Sequence, residues 1–231
     1  CLLSRGLGDV YKRQPYSCVL WDVDGTIADA SVGILRRLNV ALTHFGHPAP
    51  TREQLVHWIG PPMFQSFQAQ AGMTPEQSAE AVSFYRTLGK ADGYTTDVRT
   101  YPGVPEIIRD LHDAGIPQAT ASSKPEIQVD AIIDFFELRP YFVTTVGATP
   151  DESTLASKTD IVAEALRRLA DRGADVSRPV LIGDRHHDVE GGNANGVPVI
   201  FVEWGFSDTH EGDEAAFRAA SPDELRALLL N

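Results

Sequence analysis

The chain has 231 residues, 42% hydrophobic and 23% charged, with a formal net charge of −12. This is the balance of a soluble globular protein, long enough for one α/β domain or a core carrying a smaller insertion. So acidic a surface repels polyanions, which excludes a nucleic-acid polymer or an anionic membrane as the expected partner but admits a small phosphate ester in a locally positive pocket.

Cys1–Gln14 (CLLSRGLGDVYKRQ) has neither strand nor helix periodicity, and it lacks the apolar centre of a signal peptide. Its Asp9–Gln14 stretch resembles a translated transposon end, so residues 1–14 are set aside as a non-native or disordered leader. Ser17–Val23 (SCVLWDV) reads as a buried strand that stops at Asp24-Gly25-Thr26. Residues 30–100 read as mostly helical. Ile34, Leu35, Leu38, Leu42 and Phe45 recur at helical spacing before Gly46, and Thr51 opens a short helix through Trp58. Thr74-Pro75-Glu76-Gln77 supplies a cap, a first-turn proline and a capping-box glutamine.

From residue 101 onward, strands and helices alternate. Helices are predicted over Val104–Ala114, after Pro125, over Ser157–Asp171, near Asp188–Asn195 and from Ser221. Strands are predicted at Gln118–Ala121, Phe142–Val146, Val180–Ile182 and Val197–Val202. The expected fold is a doubly wound, mostly parallel sheet with an inserted helical cap: residues 15–29 and 101–231 form the core, and 30–100 the cap. No run of about 18 apolar residues suggests a membrane span. Cys18 is the only cysteine beyond the leader, so no disulfide framework is expected and a cytoplasmic location is the default.

Ligands of such folds gather at the carboxyl ends of the strands. Polar residues stand at four such ends: Asp22 and Asp24, Ser122 and Ser123, the stretch up to Lys158, and Asp184 with Asp188. Any one of them alone reads as a turn former, a cap or a solvated residue. Together they read as a site.

Asp22-Val23-Asp24-Gly25-Thr26 after an apolar strand, then Ser122, Lys158 and Gly183-Asp184-Arg185-His186-His187-Asp188, resemble in order the four signatures of the haloacid dehalogenase superfamily. The resemblance implies a phosphohydrolase that works through an aspartyl-phosphate. Asp22 is then the nucleophile and Asp24 the general acid and base, with Lys158 and Ser122 stabilising the phosphoryl group. Asp22, the Asp24 carbonyl, Asp184 and Asp188 offer hard oxygens that suit Mg²⁺. Gly25 lets the chain turn beside the phosphate, and Thr26 is expected to donate to Asp22 or to the turn.

Ile59–Met63 (IGPPM) is similar to phosphoglycolate-phosphatase-like members, and Tyr101-Pro102-Gly103, Ser123-Lys124-Pro125 and Val202–Phe206 to a 5′-nucleotidase-like subgroup. Gly25, Thr26, Gly60, Ser123, Lys124 and Arg86 are expected to contact the substrate. Trp21 stands where phenylalanine is usual, which would crowd the core, and Gly192 where alanine is frequent, which would slightly weaken its helix. Adjacent His186 and His187 are expected to point apart in a polar loop. Asp29 is expected to cap the first helix or tie a hinge, and the aromatic residues from Trp58 to Tyr85 to fill core. A phosphomutase shares the same catalytic set, and a non-catalytic binding protein that retains the fold is a further alternative. Oligomeric state is not readable from these residues.

Overall fold

The computed structural model describes residues 15–51, 54, 57–149, 155, 157–208 and 210–230. Its centre is a five-stranded parallel sheet in the order β4-β1-β7-β8-β9. The strands are β1 (Cys18–Trp21), β4 (Gln118–Thr120), β7 (Pro179–Gly183), β8 (Val199–Val202) and β9 (Phe217–Ala219). Every residue of β1 is buried, Cys18 and Leu20 in one apolar cluster and Val19 and Trp21 in another. Burial on both faces is why this strand reads as an unbroken apolar run.

Short ladders flank the sheet. β2 (Ala28–Asp29) pairs antiparallel with β3 (Arg99–Thr100), tying the two ends of the helical segment between them. β5 (Ser122–Pro125) pairs with β6 (Gly147–Ala148). The strand expected over Phe142–Val146 is not formed as such: it shrinks to a bridge between Thr144 and Ala119. Thr120 takes its place as partner, because its hydroxyl receives the Val146 N–H at 2.8 Å and donates to the Val146 carbonyl at 3.0 Å.

Eight α-helices are described. Three lie between β2 and β3: α1 (Ser31–His44), α2 (Met63–Ala71) and α3 (Pro75–Asp92). The expected capping box of α3 is present, with reciprocal bonds between Thr74 and Gln77. The short helix expected from Thr51 falls at 52, 53, 55 and 56 outside the described residues. The others are α4 (Val104–Asp113), α5 (Glu126–Phe135), α6 (Lys158–Asp171), α7 (His186–Ala194) and α8 (Pro222–Leu230). Ile161, Val162, Ala165 and Leu169 form the buried face of α6, and Ser157 caps it by accepting the Asp160 N–H. No helix among the described residues is long and apolar enough to cross a membrane.

Two departures seen in the sequence have structural accounts. Trp21 does not crowd the core, since its Nε1 donates at 3.0 Å to buried Gln118, which donates in turn to the Ile108 carbonyl at 2.8 Å. Gly192 is not merely a weak helix former. A Cβ there would overlap Val199 Cγ2 and lie 2.9 Å from the Val197 carbonyl, so the glycine lets α7 close onto β8. Overpacking costs about 1–3 kcal/mol, more than the roughly 1 kcal/mol that alanine gains in a helix. Gly192→Ala is therefore expected to destabilise. Gly89→Ala in α3, where the nearest atoms to a new Cβ are 3.8 Å away, is expected to stabilise by up to about 1 kcal/mol. Urea unfolding of both variants checks the pair, and a more stable Gly192→Ala protein contradicts the packing account.

Candidate active site

The carboxyl ends of β1, β4 and β7 converge, and the first residue past β1 is Asp22. It is 6% exposed, and its Oδ1 accepts from Lys158 Nζ at 2.6 Å. The same ammonium donates to the Ala121 carbonyl at 2.7 Å and lies 2.6 Å from Asp188 Oδ1 as an ion pair. Lys158 reaches this point because it opens α6, and because Gly191 leaves room for its stem; a Cβ there would sit 2.7 Å from Lys158 Cγ. Burial alone would lower the lysine pKa, but Asp188 and Asp22 outweigh it and hold the ammonium charged. Asp22 is pushed upward by burial, against the pull of Lys158 and a hydrogen bond from Ser122.

Asp184 follows β7 and Asp188 lies in the first turn of α7, where its Oδ2 accepts the Arg185 N–H at 3.0 Å. One carboxylate oxygen each of Asp22, Asp184 and Asp188 lies within 4.8 Å of the others. Asp184 Oδ2 accepts the Phe206 N–H at 2.7 Å, whereas its buried Oδ1 has no hydrogen-bond partner. Two glycines make space for this carboxylate, since a Cβ at Gly25 or Gly205 would collide with it. Burial, then Asp188 and Asp22, push the Asp184 pKa well up. Three buried carboxylates with one lysine between them lack positive charge, and an orphaned oxygen faces the gap. This donor set fits a hard divalent cation.

Asp24 stands apart from that cluster. Its Oδ2 is 2.7 Å from Lys124 Nζ, and its buried Oδ1 has no hydrogen-bond partner. Burial raises its pKa while Lys124 opposes the rise. Asp22, Asp24, Ser122, Ser123 and Lys124 share a narrow cleft with residues of the helical segment: Ile34, Ile59, Gly60, Pro61, Pro62, Met63, Tyr85 and Arg86. Of the two serines, Ser122 is the buried one beside Asp22, and Ser123 is half-buried at the cleft.

The sequence-predicted residues thus fall into groups. Asp22, Lys158, Asp184, Asp188 and Ser122 come together, while Asp24, Lys124, Ser123, Gly60 and Arg86 border the same cleft. Gly25 and Thr26 do not line it. Gly25, with φ +91°, serves the turn and clears Asp184, whereas the Thr26 hydroxyl is buried without a partner and donates neither to Asp22 nor to the turn. The Thr26 backbone does serve the turn, its N–H donating to the Val23 carbonyl at 3.3 Å, and its carbonyl accepts from Trp204 Nε1 at 3.3 Å. Asp29 accepts the Ser31 N–H at 2.9 Å and pairs with Arg99 in the β2–β3 ladder, while the N-cap position of α1 is Ala30, without a side-chain cap bond.

Other site residues escaped the sequence reading. Buried Arg185 donates to the Ile59 carbonyl and, through Nε at 2.8 Å, to Glu211, tying the Ile59-Gly60 loop to the core. The only sign of this was its place inside GDRHHD. Tyr85, expected as core, borders the cleft, and the guanidinium of buried Arg37 lies 5.6 Å from its ring centre. His186 and His187 do not point apart in a loop: they open α7 with ring centres 3.8 Å apart.

The parallel α/β sheet thus delivers an aspartate to a lysine beside two further carboxylates suited to a hard cation. The chain belongs to the haloacid dehalogenase-like hydrolase family, whose model matches residues 19–202. It is 33% identical over 215 residues to a protein of Pseudomonas aeruginosa named 5′-nucleotidase, covering 93% of this chain and 92% of that one. It is 34% identical over 215 residues to the Mycobacterium tuberculosis protein named tyrosine-protein kinase PtkA, covering 91% of this chain and 72% of the relative. Among solved structures, a predicted phosphatase from Clostridium acetobutylicum superposes with a TM-score of 0.86 at 30% identity, covering 93% of this chain and 98% of that one. The chain is an enzyme of the phosphatase kind within this family.

Proposed function

We propose that the protein is a Mg²⁺-dependent phosphomonoester hydrolase that works through an aspartyl-phosphate on Asp22 and acts on a 5′-nucleotide-sized ester. The observation that carries this reading is Asp22 itself, buried at the end of β1, 2.6 Å from Lys158 and within 4.8 Å of the Asp184 and Asp188 oxygens. In the first step an Asp22 oxygen attacks the phosphorus in line with the ester oxygen. The ester P–O bond breaks as Asp24 gives its proton to the departing alkoxide. In the second step water attacks the phosphorus and Asp24 takes its proton. The acyl-phosphate P–O bond then breaks, freeing phosphate and Asp22.

Asp22, Asp184 and Asp188, with the Asp24 carbonyl, would hold the Mg²⁺. That ion offsets the repulsion between Asp22 and the phosphate when bound. Lys158 and Ser122 face the same charge from the protein side. The raised pKa of Asp24 suits a group that must hold a proton and then release it. Residues 30–100 act as a cap, with 15–29 and 101–231 as the core. The cap brings Ile34, Ile59, Met63 and Tyr85 against the leaving group and Arg86 near its polar end. The likeness to the protein named 5′-nucleotidase, over 92% of its length, favours a nucleotide leaving group.

The test is phosphate release from nucleoside monophosphates, phosphoglycolate and hexose phosphates, with Mg²⁺ and with chelator. Mg²⁺-dependent release fastest from a nucleotide is expected. Transfer from ATP to a tyrosine peptide without phosphate release would overturn the hydrolase reading. Asp24→Asn is expected to lower kcat/KM about 10²–10⁴-fold for alkyl esters but far less for p-nitrophenyl phosphate, whose leaving group needs no proton. Equal losses for both esters would remove Asp24 as the general acid.

A further inference from the structure

We propose that His186, His187 and Glu190 form a second metal site that takes one divalent ion of the zinc class, separate from the carboxylate cluster. One ring nitrogen of each histidine and a Glu190 oxygen lie within 4.8 Å of one another. The ring centres are 3.8 Å apart, and His187 Nδ1 is 3.8 Å from Glu190 Oε2. His186 and Glu190 are four residues apart in α7 and so share one face of the helix. Tetrahedral zinc needs ligand atoms about 3.4 Å apart, which small side-chain rotations supply here, Glu190 being 68% exposed.

A second, independent feature points to a ligand. His186 Nδ1 lies 2.7 Å from Glu211 Oε2, so an ionised carboxylate accepts from an Nδ1–H, and in that neutral tautomer Nε2 is the lone-pair donor. Glu211 is itself held by Arg185 Nε at 2.8 Å and by the His186 N–H at 3.0 Å. A carboxylate that orients an imidazole from its far side is the usual support of a metal-bound histidine. The Glu190 and Glu211 carboxylates also counter the positive end of the α7 dipole, which opposes a cation there.

Two imidazoles and one carboxylate make a borderline donor set, selecting zinc-class ions over Mg²⁺. The Asp22, Asp184 and Asp188 oxygens suit Mg²⁺, which occupies them when it is in large excess. His187 and Glu190 line a shallow cleft that also reaches Lys158, Ser123 and, from the helical segment, Pro62 and Gln65. A fourth coordination position is therefore open to water or a small anion. The proposal does not depend on which ester the enzyme hydrolyses, or on whether it hydrolyses one.

Calorimetric titration of the full chain with Zn²⁺ in excess Mg²⁺, which saturates the carboxylate cluster, tests it. One equivalent of Zn²⁺ is expected to bind. His187→Asn and Glu190→Gln should each weaken binding at least about tenfold, and Glu211→Gln roughly 10–100-fold through the lost support. Thermal melting of each variant checks that it folds, and exposed Glu190 carries the test if a histidine variant does not. Absence of Zn²⁺ binding, or equal affinity in wild type and Glu190→Gln, overturns the site.

Discussion

Asp22→Asn is expected to lower kcat at least about 10³-fold while leaving the protein folded. The amide keeps the shape of the carboxylate but cannot form the aspartyl-phosphate. Lys158 keeps its 2.6 Å contact with Asp188 and its bond to the Ala121 carbonyl, so the lysine is not stranded. Asp22 is already pushed upward by burial, so a neutral side chain is well tolerated at that point. Unfolding free energy should stay within about 1 kcal/mol of wild type. Mg²⁺-dependent turnover retained in a folded Asp22→Asn protein would remove Asp22 as nucleophile.

Lys158→Met is expected to be damaging in a different way. Methionine preserves most of the stem but leaves buried Asp22 and Asp188 without the cation between them. Removing one partner of a buried ion pair costs about 3–5 kcal/mol, or roughly 6–20 °C in Tm for a chain of this size. The deficit should depend on pH with a definite sign. Asp22 and Asp184 have folded pKa values above their unfolded ones, from burial first and neighbouring charges next. The folded state therefore binds their protons more readily, and its relative stability falls as pH rises through those folded values. Lys158→Met should thus be closest to wild type at low pH and fall further behind it as pH rises. Added Mg²⁺ should restore part of the lost Tm, since the carboxylates then regain a cation. A deficit that is independent of both pH and Mg²⁺ would mean that lost packing, not charge, is its cause.

The parts of this molecule that were legible beforehand are those where chemistry sits on a strand end. Asp22 and Asp184 each follow an apolar run that reads as a buried strand, and α3 announces itself through Thr74, Pro75 and Gln77. What was not legible depends on partners distant in the chain. β9 is a three-residue strand, Phe217–Ala219, with two exposed positions, and only its pairing with β8 makes it a strand. Phe142–Val146 carries strong strand propensity, yet the Thr120 hydroxyl takes over its ladder contacts. Gly192 looked like a blemish in a helix because nothing local shows Val197 and Val199 against it. The tie from Arg185 to Ile59 spans 126 residues, and neither end signals the other. The Lys124–Asp24 contact is similarly remote, although both residues had been singled out separately.

Each of these features serves the same arrangement. The sheet brings Asp22, Lys158 and Asp188 together, the glycines at 25 and 205 clear space for Asp184, and Arg185 holds the Ile59-Gly60 loop over the cleft. The most direct measurement of its chemistry is an acid quench of the enzyme during turnover of a ³²P-labelled nucleoside monophosphate with Mg²⁺, followed by peptide mapping. The account predicts acid-stable, hydroxylamine-labile label on the peptide that contains Asp22, absent from the Asp22→Asn protein. Brisk phosphate release with no label on that peptide at any quench time would contradict it.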